Sequence, residues 1–209
     1  MARSNLIEKV EDGREYRAMR MEIREAEDGR MMVEGYATVF NQPYTLYEGK
    51  YYKVVEQVDP KAFEECDMSD VIFQYDHEGR VFARNKNGTL TLETDEKGLK
   101  ITADLSGTEI GRQLYEEIKG GYTDKMSFGF VVAEDQKSYE MDYEKDFEVC
   151  TRTITKIKKL YDVSAVSLPA NDMTSISARR YSDGVIADIK AERLKRANKT
   201  KRIKILLEV

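Results

Sequence analysis

Apolar and polar side chains alternate with a period of two along much of this chain, and this pattern restricts it to a mostly β fold with few helices. Tyr16 to Glu25 alternates loosely, Asp28-Gly29 supplies a turn, and Met31 to Phe40 alternates again, so the pair reads as a hairpin. Tyr51 to Val58 and Val71 to Tyr75 read as further strands. Thr89 to Thr94 and Leu99 to Leu105 form a second hairpin across Asp95-Glu96-Lys97-Gly98. Asp59-Pro60-Lys61-Ala62-Phe63 reads as a short capped helix, with Pro60 at its first position. Met126 to Val132, Thr151 to Ile157 and Leu160 to Leu168 complete the strands. The acidic stretch Glu134 to Asp146 is expected as a solvent-facing hairpin or loop.

The period changes once within this region. Ser106-Gly107-Thr108-Glu109 has capping-box form, Ile110, Leu114 and Ile118 share one helical face, and Gly120-Gly121 ends the helix. A second helix is expected from Val185 to Ala197. Residues 190–204 carry eight basic side chains against one acidic one. Residues 1–15 then read as a flexible leader, 16–180 as one domain, and 181–209 as a basic, helical tail. Mostly β with helices (α+β), in a single-domain barrel or sandwich, is the expected fold class.

Composition removes several functions. A net charge of −5 argues against a general nucleic-acid binder. No apolar run reaches the length of about 18 residues that a membrane helix needs. The first residues lead into charge rather than an apolar signal core, so secretion is not expected. Cys66 and Cys150 stand alone without metal-ligand spacing, which fits a reduced, cytosolic setting without a disulfide framework. With a single histidine, a structural zinc site is not expected, and neither is any other metal or cofactor.

That histidine bounds the chemistry. Any imidazole-dependent reaction must use His77, which ends Ile72-Phe73-Gln74-Tyr75-Asp76-His77 and precedes the turn-like Glu78-Gly79-Arg80. In Met126-Ser127-Phe128-Gly129-Phe130 the large side chains take one face, and Ser127 and Gly129 take the other, which is expected to be small and open. Asp162 sits in an apolar segment, where a carboxylate needs a partner. A serine hydroxyl becomes a nucleophile when a base takes its proton and a third group orients that base, so Ser127, His77 and Asp162 are the candidate set. No spacing rule links them. A lone histidine at a strand end is more often structural, a serine beside glycine is most often just small, and Asp162 has Lys156, Lys158 and Lys159 nearby as partners.

At these residues the chain resembles the prohead protease family of tailed bacteriophages, the HK97-like capsid maturation proteases. The resemblance runs through Glu34-Gly35-Tyr36-Ala37-Thr38-Val39-Phe40, Val58-Asp59-Pro60-Lys61-Ala62-Phe63, Asp76-His77, the helix of residues 111–121 leading into Lys125-Met126-Ser127-Phe128-Gly129-Phe130, and Leu160-Tyr161-Asp162-Val163-Ser164-Ala165-Val166-Ser167-Leu168-Pro169-Ala170-Asn171. It implies a serine endopeptidase with a β-barrel similar to the herpesvirus assembly proteases. His77 would be its base, Ser127 its nucleophile and Asp162 its third member. Asp162 departs from the family, which usually has Glu in a Leu-x-Glu-Val-Ser pattern, so the backbone must come closer or a water must bridge.

The resemblance further implies a place inside the phage procapsid, in the host cytoplasm. The implied partners are the major capsid protein and the scaffold protein or scaffolding segment that it cleaves, with cleavage of itself. A homodimer is expected by analogy with the herpesvirus enzymes; a membrane or specific nucleic-acid partner is not. The residues leave three other readings open: a cysteine peptidase using Cys66 or Cys150 with His77, a non-catalytic capsid-assembly module that binds scaffold, and an unrelated β-rich binding domain.

Overall fold

Ten strands, two α-helices and a one-turn 3-10 helix at Asn85–Asn87 account for the regular structure of the residues that the structure, a computed structural model, describes: 14–25, 29–167, 184–196 and 198–199. The strands are β1 (Glu15–Glu25), β2 (Met31–Val39), β3 (Tyr44–Glu48), β4 (Tyr52–Val58), β5 (Ile72–Tyr75), β6 (Glu78–Arg84), β7 (Leu90–Thr94), β8 (Gly98–Asp104), β9 (Lys125–Asp142) and β10 (Phe147–Val166). Helix α1 is Glu109–Lys119 and helix α2 covers residues 184–196. The leader up to residue 13, the motif end Leu168-Pro169-Ala170-Asn171, the residues just before α2 and most of the basic tail lie outside the described residues.

The expected α+β class with mostly β content holds. The strand order is β3-β4-β10-β9-β1-β2-β8-β7, with β5 and β6 joined to β10 off this path. No pairing connects β3 to β7 among the described residues, so the sheet stays open and the expected barrel closure is absent. Both expected hairpins form: β1 with β2, and β7 with β8.

β10 organises the rest. It runs antiparallel to β9 along one edge. On its other edge it pairs in parallel first with β4, through Glu148 to Ile154, and then with β5, through Asp162 to Ala165. The sequence alternation suggested two separate strands here because the buried apolar positions change spacing, from Ile154 to Ile157 to Leu160 to Val163. Register shifts between Ile154 and Asp162 explain this: residues left out of the pairing on β10 return the next apolar side chain to the core. One 20-residue strand results. Similarly, the acidic stretch after Val132 is the outer part of the long β9–β10 hairpin.

Two local expectations shift. Asp59 does cap its segment, accepting the Lys61 N–H at 2.8 Å, but successive i to i+3 turns follow instead of a helix. The cause is competition from β10: the Ala62 carbonyl accepts from Ile157 N–H at 2.8 Å, and Asp67 exchanges backbone bonds with Lys158 and Leu160. The α1 cap is Thr108, whose Oγ1 accepts the Gly111 N–H at 3.0 Å. Ser106, the expected cap, instead bonds to Asp104 and accepts the Met31 N–H. Strands β3 and β6 carry too little alternation to be seen in the sequence.

The main core packs Met126, Phe128 and Phe130 of β9 against Ile154, Ile157, Leu160 and Val163 of β10. A second cluster joins Val185 and Ile189 of α2 to Leu46, Val54 and Cys150. Between strands, a buried ionic network replaces apolar packing. Arg17 of β1 holds Glu56 of β4 at 2.5 and 2.8 Å and Glu15 at 2.7 Å. Arg152 of β10 meets Glu15, Glu56 and Asp135 of β9, each at 2.7 Å at its nearest, and Tyr44 of β3 donates to Glu56. Burial disfavours the Glu56 charge, but Arg17 and Arg152 outweigh it and hold its carboxyl below the ordinary glutamate value.

Removing one charge from such a network strands the others. Glu56→Gln is expected to lower unfolding stability by about 3 kcal/mol, read by urea titration. Because the folded value is depressed, the Glu56 contribution is complete above the ordinary glutamate value and is lost as the pH falls below it and through the lower folded value. The gap between parent and variant should therefore narrow on acidification; a gap that is absent at pH 7, or that widens in acid, contradicts this account.

Candidate active site

The turn that carries His77 has a strained backbone. Tyr75 pairs with Glu78 across the two-residue loop Asp76-His77, and both loop residues have left-handed φ, 49° and 59°. This is the geometry of a type I′ hairpin turn, normally given to Asn and Gly. Such residues cost on the order of 1–3 kcal/mol each unless their surroundings hold them. Here the surroundings do. Asp76 N–H donates to the Ala165 carbonyl at 2.8 Å, and the Asp76 carboxylate accepts both the N–H and the hydroxyl of Ser167, each at 2.8 Å. The turn is thus clamped to the end of β10. The sequence placed the turn at Glu78-Gly79-Arg80; those residues open β6 instead.

The clamp brings His77 to Asp162. His77 Nδ1 lies 2.5 Å from Asp162 Oδ2, across 85 positions of sequence. The side chains are 13% and 5% exposed. No water needs to bridge the shorter aspartate, because the tight turn carries the ring in to it. The nearby lysines are engaged elsewhere, Lys156 with Glu65 and Lys159 with Asp67. With Nδ1 at the carboxylate, Nε2 is the ring nitrogen on the side away from Asp162.

Ser127 enters through register. It is paired with Ser164 across β9–β10, and Gly129 with Asp162. Directly opposed residues share a face, as do residues two apart, so Ser127, Ser164 and Asp162 project from one side of the sheet. Phe128 and Phe130 stack on the other side, with ring centroids 4.5 Å apart. Ser164 Oγ donates to Asp162 Oδ2 at 2.8 Å. The face was expected to be open and is closed: Ser127 is fully buried, and its Oγ makes no hydrogen bond among the described residues. A substrate carbonyl can reach that oxygen only after a neighbouring group moves.

Beside the His77 turn lies a cavity of about 720 Å³ between the β5–β6 hairpin and α1. Tyr75, Phe82, Ile110 and Leu114 supply apolar lining, and Asp76, Glu78, Arg80 and Glu117 supply charge. Its size and mixed lining suit a ligand site. Ile110, read from the sequence as part of the buried helical face, is only half-buried because it lines this cavity.

Sequence reasoning missed Ser164 and the Asp76–Ser167 clamp. The spacing of Asp162 and Ser164 in an alternating segment was the available signal for the first; the clamp has none, because it joins residues 91 positions apart. Neither thiol suits the cysteine reading. Burial pushes the Cys66 thiol up to about 11, and burial also raises Cys150 within the second apolar cluster. A thiol raised in this way is a poor nucleophile at pH 8, because the thiolate is the reactive form. Folded protein is therefore expected to resist iodoacetamide at pH 8 and to take two adducts in guanidinium, read by intact mass. Rapid alkylation of either thiol in the folded state contradicts the described burial.

The chain matches the sequence model of the family described as caudovirus prohead serine protease over residues 19–185. The prohead protease of enterobacteria phage HK97 is 28% identical over 174 residues, spanning 78% of this chain and 67% of that protein. Among solved structures, the capsid assembly protease of bacteriophage T4 aligns over 73% of this chain and 96% of its own, at 11% identity and a TM-score of 0.40. A likeness of that strength carries no argument about the fold.

Proposed function

Since this chain belongs to the caudovirus prohead serine protease family, we propose that it cleaves peptide bonds with Ser127 as nucleophile, His77 as general base and Asp162 as the group that orients His77. It is a serine protease of phage capsid maturation. The observation that carries the residue assignment is the 2.5 Å approach of His77 Nδ1 to Asp162 Oδ2, with Ser127 on the adjoining strand and on the same face.

In the proposed reaction His77 Nε2 takes the Ser127 hydroxyl proton as Oγ attacks the carbonyl carbon. The same nitrogen then protonates the departing amine. Asp162 keeps the Nδ1 proton on its own side of the ring and stabilises the imidazolium. Water hydrolyses the acyl-enzyme by the reverse proton path. The peptide lies in the cavity between the β5–β6 hairpin and α1, whose lining includes residues on both sides of His77. The proposed substrates are the scaffold protein or the scaffolding segment of the coat protein, together with this chain's own termini, inside the procapsid. The buried Ser127 fits a form that opens when it meets substrate.

The test is co-expression of phage coat and scaffold proteins with the parent chain or with Ser127→Ala, followed by intact mass measurement. Shortened species are expected with the parent and not with the variant, whose turnover should fall up to roughly a millionfold. Cleavage that persists in Ser127→Ala rejects the mechanism. Full-length masses in both samples favour the non-catalytic assembly reading.

A second prediction concerns the shortened carboxylate. The clamped turn leaves His77 little room to retreat, so Asp162→Glu, although it installs the residue usual in the family, pushes the carboxylate out of line. Turnover should drop on the order of 100-fold. Equal or faster cleavage by Asp162→Glu would show that the turn adapts.

A further inference from the structure

We infer that Ser164 is a positioning residue, whose hydroxyl fixes the direction in which the Asp162 carboxylate faces His77. The inference rests on the catalytic reading above and extends it to a residue outside the proposed triad. Ser164 is fully buried, and its Oγ lies 2.8 Å from Asp162 Oδ2. The same oxygen meets His77 Nδ1 at 2.5 Å. An ionised carboxylate only accepts hydrogen bonds, so the Ser164 hydroxyl is the donor.

The second donor matters because of how the carboxylate can move. The terminal torsion of an aspartate is broad and nearly two-fold, so the group swivels unless something holds it. The backbone that carries the imidazole is held in place, because its turn is clamped to Ala165 and Ser167. Two donors converging on one oxygen, from a strand on one side and a turn on the other, define the carboxylate plane. Ser164 is well placed for this: it is two residues from Asp162 on the same face, paired to Ser127 on β9 and to Gln74 on β5. It therefore touches the two strands that carry the proposed nucleophile and lead to the proposed base. A serine that merely filled space at this position would need no hydroxyl.

The single histidine makes the inference directly measurable. In untagged protein labelled with ¹⁵N-histidine, every imidazole signal belongs to His77. We would record the Nδ1–H resonance and the ring ¹⁵N shifts of the parent, Ser164→Ala and Ser164→Thr. Steady-state cleavage of the substrate identified by the mass experiment would be measured alongside. Ser164→Ala is expected to move or broaden the Nδ1–H signal and to lower kcat roughly tenfold, with KM changed less than about twofold. Ser164→Thr keeps the hydroxyl and is expected to return both readouts toward the parent. A parent-like imidazole signal in folded Ser164→Ala overturns the inference, whatever happens to the rate. Cleavage surviving in Ser127→Ala would instead overturn the catalytic reading, while the imidazole spectra still decide whether Ser164 holds the Asp162–His77 pair.

Discussion

The backbone hydrogen-bond ladder on both edges of β10 is the constraint on which the rest of the molecule depends. A strand of 20 residues is long enough to meet several partners in succession. Along one edge it holds β9, with Ser127. Along the other it holds β4, then the turns that Asp59 opens, then β5, which leads into the His77 turn. Asp162 and Ser164 lie on β10 itself. Polar residues far apart in sequence reach one face because a single strand touches every element that carries them. The ladder is directional as well as adhesive: the parallel register with β5 places Tyr75 beside Ala165, so the chain reverses level with the end of β10.

The two halves of β10 solve the problem of burial differently. Around Arg152 the strand sits in a network of opposite charges, each satisfied by its neighbours. Such a network is costly to desolvate and strongly destabilising to break, so it sets strand alignment more than it adds net stability. Beyond the bulges, aromatic and aliphatic packing covers one face, and the other carries serine, glycine and aspartate. There the buried polar atoms are few and close together. A left-handed turn, a carboxylate reached by two donors and a buried hydroxyl with no partner among the described residues all occur within this small region. Strain and unsatisfied polarity are tolerated where a tightly clamped backbone surrounds them.

Much of the architecture was legible because it is local. The β1–β2 and β7–β8 hairpins follow from alternation and turn residues, and α1 follows from Ile110, Leu114 and Ile118 with two glycines after it. Errors arose where a distant partner overrode a local signal. Ser106 has the look of a cap, yet its hydroxyl serves Asp104 and Met31. The segment after Asp59 begins like a helix, yet its carbonyl is taken by Ile157. A barrel was one of two forms open to the strand-rich pattern and the one the resemblance implied, and the strand pairing among the described residues does not close it.

By itself the sequence determined the strand-rich composition, the helix before Ser127, and the short inventory of groups able to do chemistry: one imidazole, two thiols, and the serine and aspartate in the β9 and β10 segments. Periodicity and composition require only neighbours in the chain, so they can be read without a fold. The tertiary structure alone decided that Asp162 meets His77 rather than a lysine, that Ser164 joins them, that burial raises both thiols, and that Ser127 is covered. These outcomes depend on distances between residues tens of positions apart. Those distances are set by β10's register and by the clamped turn at Asp76, and no local pattern encodes either.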